Sequence, residues 1–365
     1  MVGAKGRTAI AATTATLGIL AAVLAATATP AAAHAVGGPG PTNFITEITS
    51  VSPAMDGVEV RVLGFGDRIE VRNRSGTEVV VLGYEGEAYL RIGPEGVYEN
   101  RRSPAAYLNA DRQADVSVPD EADATAAPRW ERVSGGTTAR WHDHRVHWMG
   151  TGDPAAVQRD PGRSHLLYPR WTVPLRAGET EVEVVGTLRW VPGPSPWPPL
   201  AAAVIVALVA AVAALVWRRG SLWILAGLVA GLVAVDVWHT VGLAWAPGSP
   251  DSPAARLLQG SIGPALAWTA GVLALVGLLG RRPAPGRLAG GYLAALSAAV
   301  VLLVGGVGDL GALSRSQVAF AGGAGASRIA VAGSIAAALG ALQVAAIVVT
   351  RLQAGQADGS RRQAA

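Results

Sequence analysis

"VPGPSPWPPLAAAVIVALVAAVAALVWRRG", residues 191–220, decides the architecture. Five of its first ten residues are proline, which makes a stiff, non-helical spacer. From Leu200 to Val216 no side chain is polar, and with Pro198, Pro199 and Trp217 the run reaches the roughly 20 residues a helix needs to cross a bilayer. It ends on Trp217, Arg218 and Arg219, an aromatic and basic flank of the kind found at the cytoplasmic face. A polar domain therefore precedes this stretch and a membrane domain follows it.

Toward the C-terminus the apolar runs repeat. Five spans are expected, at about 198–217, 221–245, 262–280, 288–308 and 328–350, within a membrane domain over 200–350 and before a tail over 351–365. Arg218, Arg219, Arg281, Arg282, Arg287, Arg351, Arg361 and Arg362 fall on one side of these spans, and only Arg256, Arg315 and Arg328 on the other. The richer side faces the cytoplasm under the positive-inside rule, which puts the preceding domain outside and the C-terminus inside. The other end of the chain agrees. Lys5 and Arg7 precede an apolar, small-residue run and then "TATPAAAHA", the layout of a secretory signal peptide over 1–33. Cleavage before His34 would place an amino group and an imidazole on one residue, a chelating pair; cleavage before Val36 would remove it. The expected location is the cell membrane, multi-pass, with the lipid bilayer as the first partner.

Half of the residues are hydrophobic and 15% are charged, too apolar for an ordinary soluble protein. The absence of cysteine excludes disulfides, thiolate metal sites and thiol nucleophiles. The net charge of +4 does not indicate nucleic acid, because residues 34–197 carry 17 Arg against 22 Asp and Glu. The basic excess sits in the membrane part and the termini, where it is a topology signal.

The outside domain, 34–188, reads as β. "VEVRVLGFGDRIEVRNRSGTEVVVLGY" (58–84) alternates apolar and polar residues between turns, as do 137–149 and 170–191, the last with an "AGET" turn. Short strands with turn signals predict an antiparallel sandwich, so the fold class is α+β by segregation: β-sandwich-like domain, then five-helix bundle. Residues 101–129 lack any period and read as a long acidic loop. The linker, 189–199, carries Trp190 and Trp197, which suit a membrane interface.

"WHDHRVHWM" (141–149) is the candidate site. On a regular strand His142 and His144 share one face, while His147 and Met149 share the other with Asp143 and Arg145. His142 and His144 then form the core of a metal site for copper or zinc, completed by His147, Met149, His165 or His34. The competing reading is solvated or structural histidines, or a pH-responsive patch, with Asp143 and Arg145 as a surface ion pair. Asp236, His239 and Asp309 are ionisable groups inside the spans, candidates for a proton or metal relay or for a structural hydrogen bond.

The edge "GDRIEVRNRSG" (66–76) looks like that of cupredoxin-like or immunoglobulin-like domains, although blue copper needs a Cys ligand. The stretches "PTNFITEITSV" (41–51), 79–109, "TARWHDHRVHWM" (138–149) and "WVPGPSPWP" (190–198) resemble a group of uncharacterised actinobacterial exported membrane proteins, a resemblance that implies no activity. The "AAAHA" junction is similar to that of copper-resistance proteins of the CopC type, whose mature chain begins with a metal-binding His; it bears on His34 alone. No nucleophile elbow, HExxH motif or paired catalytic carboxylates stand out, so the expectation is a non-enzymatic domain that binds or senses a transition metal, copper first. The alternative is an envelope scaffold that holds a protein partner and no metal.

A phosphatase reporter active only outside the cytoplasm should work when fused after residue 196 and fail when fused after residue 283. The reverse pattern would overturn the topology.

Overall fold

The computed structural model describes residues 40–249, 251–280 and 284–364. The signal peptide and His34 lie outside these residues. Contacts divide the chain into a β unit over Thr42–Gly193 and a helical unit that takes up Pro194–Pro247 and the chain from Asp251 onward.

The β unit has ten strands: β1 Phe44–Ser52, β2 Val58–Leu63, β3 Arg68–Asn73, β4 Val79–Leu82, β5 Ala88–Gly93, β6 Gly96–Asn100, β7 Trp130–Ser134, β8 Thr138–Trp141, β9 His165–Ala177 and β10 Thr180–Trp190. Two short helices, α1 Ala105–Leu108 and α2 Ala155–Arg159, interrupt them. Seven strands form one antiparallel sheet in the order β1-β10-β9-β4-β5-β6-β7, and β2-β3-β8 form a second. Alternation explains the inner faces. Along β10, Val182, Val184, Leu188 and Trp190 are buried, while Glu181 and Glu183 face out. Val182, Val184 and Leu188 share one apolar core with Ile69, Val71, Ala139 and Trp141 of the smaller sheet. The "AGET" turn is the two-residue β9–β10 loop, with Gly178 at a positive φ of 60°.

Two sequence expectations change here, and a buried carboxylate joins them. Trp190 is not an interface anchor: it closes β10, 4% exposed, with His165 packed against its ring. Residues 101–129 are not a plain loop, since they carry α1 and the Arg101 bridges to Glu99 and Glu131. Glu70, in the middle of the small sheet, is buried although it alternates away from the core. Its cross-strand neighbours Arg61 and Arg140 both bond its carboxylate, Arg140 Nε at 2.6 Å. Burial alone would raise the Glu70 carboxyl, but the two guanidiniums outweigh it and hold it below its ordinary value.

The helical unit contains α3 Trp197–Val216, α4 Ser221–Ala244, α5 Pro253–Ile262, α6 Ala265–Leu279, α7 Ala284–Val301, a π-helical turn Leu302–Val307, α8 Gly311–Ser314 and α9 Gly323–Ala364. Among the described residues four helical segments are long and apolar enough to cross a membrane, and a fifth if α5 and α6 count together. The expected third span corresponds to α6, whose 15 residues count as a span only together with α5, which meets it at 67° across Gly263–Pro264. In the connection between the π-helical turn and α9, Leu313, Val318 and Phe320 are buried. The most buried segment, α9, is the central helix. Its Gly340 leaves room for Leu228 of α4, whose Cδ2 would lie 3.2 Å from a Cβ there, and Ala203, Ala207, Ala211 and Ala214 form the buried face of α3. The outward residues Ile205, Val209, Val212, Leu266 and Leu273 are exposed and apolar, as lipid-facing side chains are. Exposed tryptophans mark both ends of the α3–α4 pair: Trp217 and Trp223 at one end, Trp197 and Trp245 at the other. The 20 residues of α3 span about 30 Å, the thickness of a hydrocarbon core.

Glu70→Gln should cost about 1–2 kcal/mol at neutral pH, a modest figure because both guanidiniums are partly solvated. A depressed carboxylate stabilises the fold above its ordinary value and loses that effect as pH falls through its folded value. The gap between wild type and variant in urea unfolding should therefore narrow below about pH 4.5; a pH-independent gap would refute the ion-pair account.

Candidate metal centre

Strand β8 ends at Trp141, and the chain turns at once instead of continuing extended. Asp143 makes the turn. Its Oδ1 accepts from the Arg145 backbone N–H at 3.1 Å, an Asx-turn, and its own carbonyl accepts from Val146 N–H at 3.2 Å. The side chain is fully buried, so it is not half of a surface ion pair. Arg145 grips it with Nε at 2.8 Å and Nη2 at 2.7 Å, one nitrogen to each oxygen, and Trp141 Nε1 donates at 2.9 Å. Burial pushes the Asp143 carboxyl up, but these bonds prevail and keep it below the ordinary carboxylate range. Arg145 also donates to the Leu82 and Gly83 carbonyls and lies over the Tyr84 ring at 5.0 Å.

The turn overrides the alternation expected of a strand. His142, His144 and His147 converge, with ring centroids 4.3–5.6 Å apart. One nitrogen from each lies within 4.8 Å of the other two, and among the described residues this is the one group of its kind. Three nitrogens on a tetrahedral ion at about 2.0 Å sit about 3.3 Å apart, a difference within reach of ring rotation. The third imidazole is therefore His147, which strand geometry had assigned to the opposite face. His165 stands elsewhere, at the start of β9, with Nε2 bonded to the Asp160 carbonyl at 2.7 Å. Met149 is half-buried in the extended segment that leaves the turn.

Each ring is oriented by a backbone carbonyl from a different part of the chain. His142 Nδ1 is 2.5 Å from Asp67 O, His144 Nε2 is 2.8 Å from Asp111 O, and His147 Nδ1 is 3.0 Å from Trp148 O. A carbonyl only accepts, so each of these nitrogens carries the proton. The lone pairs fall on His142 Nε2, His144 Nδ1 and His147 Nε2. Nε2 of His142 and Nε2 of His147 are buried without a hydrogen-bond partner. Burial lowers both imidazoles, His147 to about 4. At neutral pH His147 is already in the uncharged form that a metal requires.

The surrounding scaffold is local. The Gly64-Phe65-Gly66 turn has φ of 60°, 61° and 115°, and it presents the Asp67 carbonyl. A Cβ on Gly66 would lie 2.6 Å from the Thr46 hydroxyl, which donates to the Val146 carbonyl at 2.6 Å. Asp111 caps its own loop through the Gln113 and Asp115 N–H groups, and its carbonyl accepts from the Ala114 N–H at 3.3 Å as well as from His144. Tyr84 Oη accepts from the His144 N–H at 3.1 Å. The sequence reading missed Asp67, Tyr84 and Asp111 because they contribute by position; two of them act through backbone oxygens that every residue possesses.

No protein-family model, curated protein or solved structure matches this chain.

Asp143→Asn leaves a buried guanidinium facing a neutral amide and should destabilise the chain by roughly 3–5 kcal/mol. The double change Asp143→Asn/Arg145→Met should recover part of that in the same unfolding assay. A variant as stable as wild type would show that the pair does not hold the turn.

Proposed function

We propose that the β unit is an extracytoplasmic metal-binding domain carried by a multi-pass membrane anchor, and that His142, His144 and His147 hold one divalent late transition ion. The observation that carries this reading is the pair of buried, unpartnered Nε2 atoms on His142 and His147. A buried acceptor without a partner costs about 1–3 kcal/mol, and purely structural histidines would have been placed to avoid it. Three neutral imidazoles with no sulfur ligand suit copper(II) or zinc(II), and the Irving–Williams order puts copper(II) ahead. Three protein ligands leave a coordination position for water or an exchanging ligand, which suits sensing or handling of an ion better than permanent structural storage.

The membrane reading rests on the apolar helices and their tryptophan-marked ends; the outside location rests on the arginine distribution. The geometry also keeps two of the arginine groups together, since Arg351 donates to the carbonyls of Ala214 and Leu215 at the end of α3, beside Arg218 and Arg219. The scaffold alternative would leave the imidazoles dry and unliganded, and nothing else in the β unit favours it.

Titration of the detergent-purified full chain with copper(II) and zinc(II) should give one ion per chain. His142→Ala, His144→Ala and His147→Ala should each weaken binding at least about a hundredfold, while His165→Ala should leave it unchanged. Absence of stoichiometric binding in the wild type ends the proposal.

A further inference from the structure

The helical unit holds a cavity of about 540 Å³ that the metal centre does not involve. Its walls are mostly apolar, from Leu243, Ile262 and Val304 among others, with a polar end made by Asp236, His239, Asp309, Arg256 and Ser327. That volume and that mixture are typical of a small-molecule site.

The polar groups are unevenly satisfied. Asp236 Oδ2 accepts from Trp268 Nε1 at 2.7 Å, whereas Oδ1 accepts no hydrogen bond among the described residues. Oδ1 faces Gly305, where a Cβ would stand 2.6 Å away, so this glycine of the π-helical turn leaves the space beside the carboxylate open. π-helical turns of this kind recur at functional sites. Asp309 Oδ2 is 3.6 Å from His239 Nδ1, an ion-pair separation longer than a hydrogen bond. Arg256 does not balance the acids: Nη1 and Nη2 are committed to the Ala246 and Leu243 carbonyls at the end of α4. Its Nε, and the Ser327 hydroxyl, are buried without partners. Both side chains are more than nine-tenths buried and line the cavity.

We infer that this cavity binds a small amine that carries an oxygen acceptor on a short apolar body, such as an amino alcohol or amino acid. The ammonium would sit between Asp236 and Asp309, where low dielectric makes an uncompensated carboxylate costly. The oxygen would take the free donors of Arg256 Nε and Ser327, and the apolar body would fill the remaining volume. A bare metal ion fits less well, because the three acidic and imidazole groups do not close on one point as the histidines of the β unit do.

The test uses the full chain in nanodiscs and calorimetry with leucinol, isoamylamine and isoamyl alcohol, which share one branched apolar body. Leucinol should bind about tenfold more tightly than isoamylamine, the worth of a good hydrogen bond, and isoamyl alcohol should give no saturable heat. Asp236→Asn should weaken leucinol roughly a hundredfold. Gly305→Ala, which keeps every charge and fills the space at Oδ1, should weaken it too, so a folding defect in the first variant does not decide the result. Equal binding of the alcohol, no binding of either amine, or wild-type affinity in both variants overturns the proposal. Equal affinity of the two amines overturns the part assigned to Arg256 and Ser327.

Discussion

Asp143 is a carboxylate with no exposure to solvent, and the convergence of the three histidines depends on how its charge is met. An isolated ionised group in that position would be untenable. Arg145 meets it with two parallel hydrogen bonds, the Trp141 indole adds a third, and the Arg145 backbone N–H a fourth. Because three of the four come from a residue only two positions away, satisfying the charge bends the chain. The bend ends β8 and swings His147 around to His142 and His144. The same guanidinium reaches back to Leu82 and Gly83, so the turn is fastened to the β4–β5 connection as well.

The imidazoles are then poised by what they lack. Each ring spends one nitrogen on a backbone carbonyl, which fixes tautomer and orientation together. Burial keeps His142 and His147 from taking a proton, and no side chain competes for their remaining lone pairs. An arrangement that withholds both protons and hydrogen bonds from buried nitrogens is unfavourable by itself and is relieved by a cation that needs lone pairs.

The helical unit shows a related economy in a different setting. Alanine and glycine faces bring α3, α7 and α9 close enough for dispersion to hold them. Where the small residues continue into the π-helical turn, they leave a cavity instead of a contact, and Asp236, His239, Asp309 and Arg256 gather at its end. Arg256 and Arg351 serve the helix ends, each donating to terminal carbonyls that have no intrahelical partner.

Hydropathy and period, which need no partner to be read, determined a good deal. The apolar run after Leu200 separated helical from β structure, alternation marked β2, β3 and β10, and the absence of cysteine narrowed any metal site to imidazole. The clustering of three histidines in six residues also pointed to the stretch where three imidazoles converge. Tertiary structure alone decided how they meet. Strand alternation put His147 on the wrong face because the reading of Asp143 as a surface ion pair hid the one residue able to break the strand. The carbonyls of Asp67 and Asp111 that orient the rings are backbone groups without a sequence signature, supplied from 75 and 33 residues away. The bend between α5 and α6 and the enclosure of Asp236 beside Gly305 likewise follow from packing between distant segments. Local pattern records which residues prefer water or its absence; burial of a charge and the direction of a lone pair belong to the folded chain.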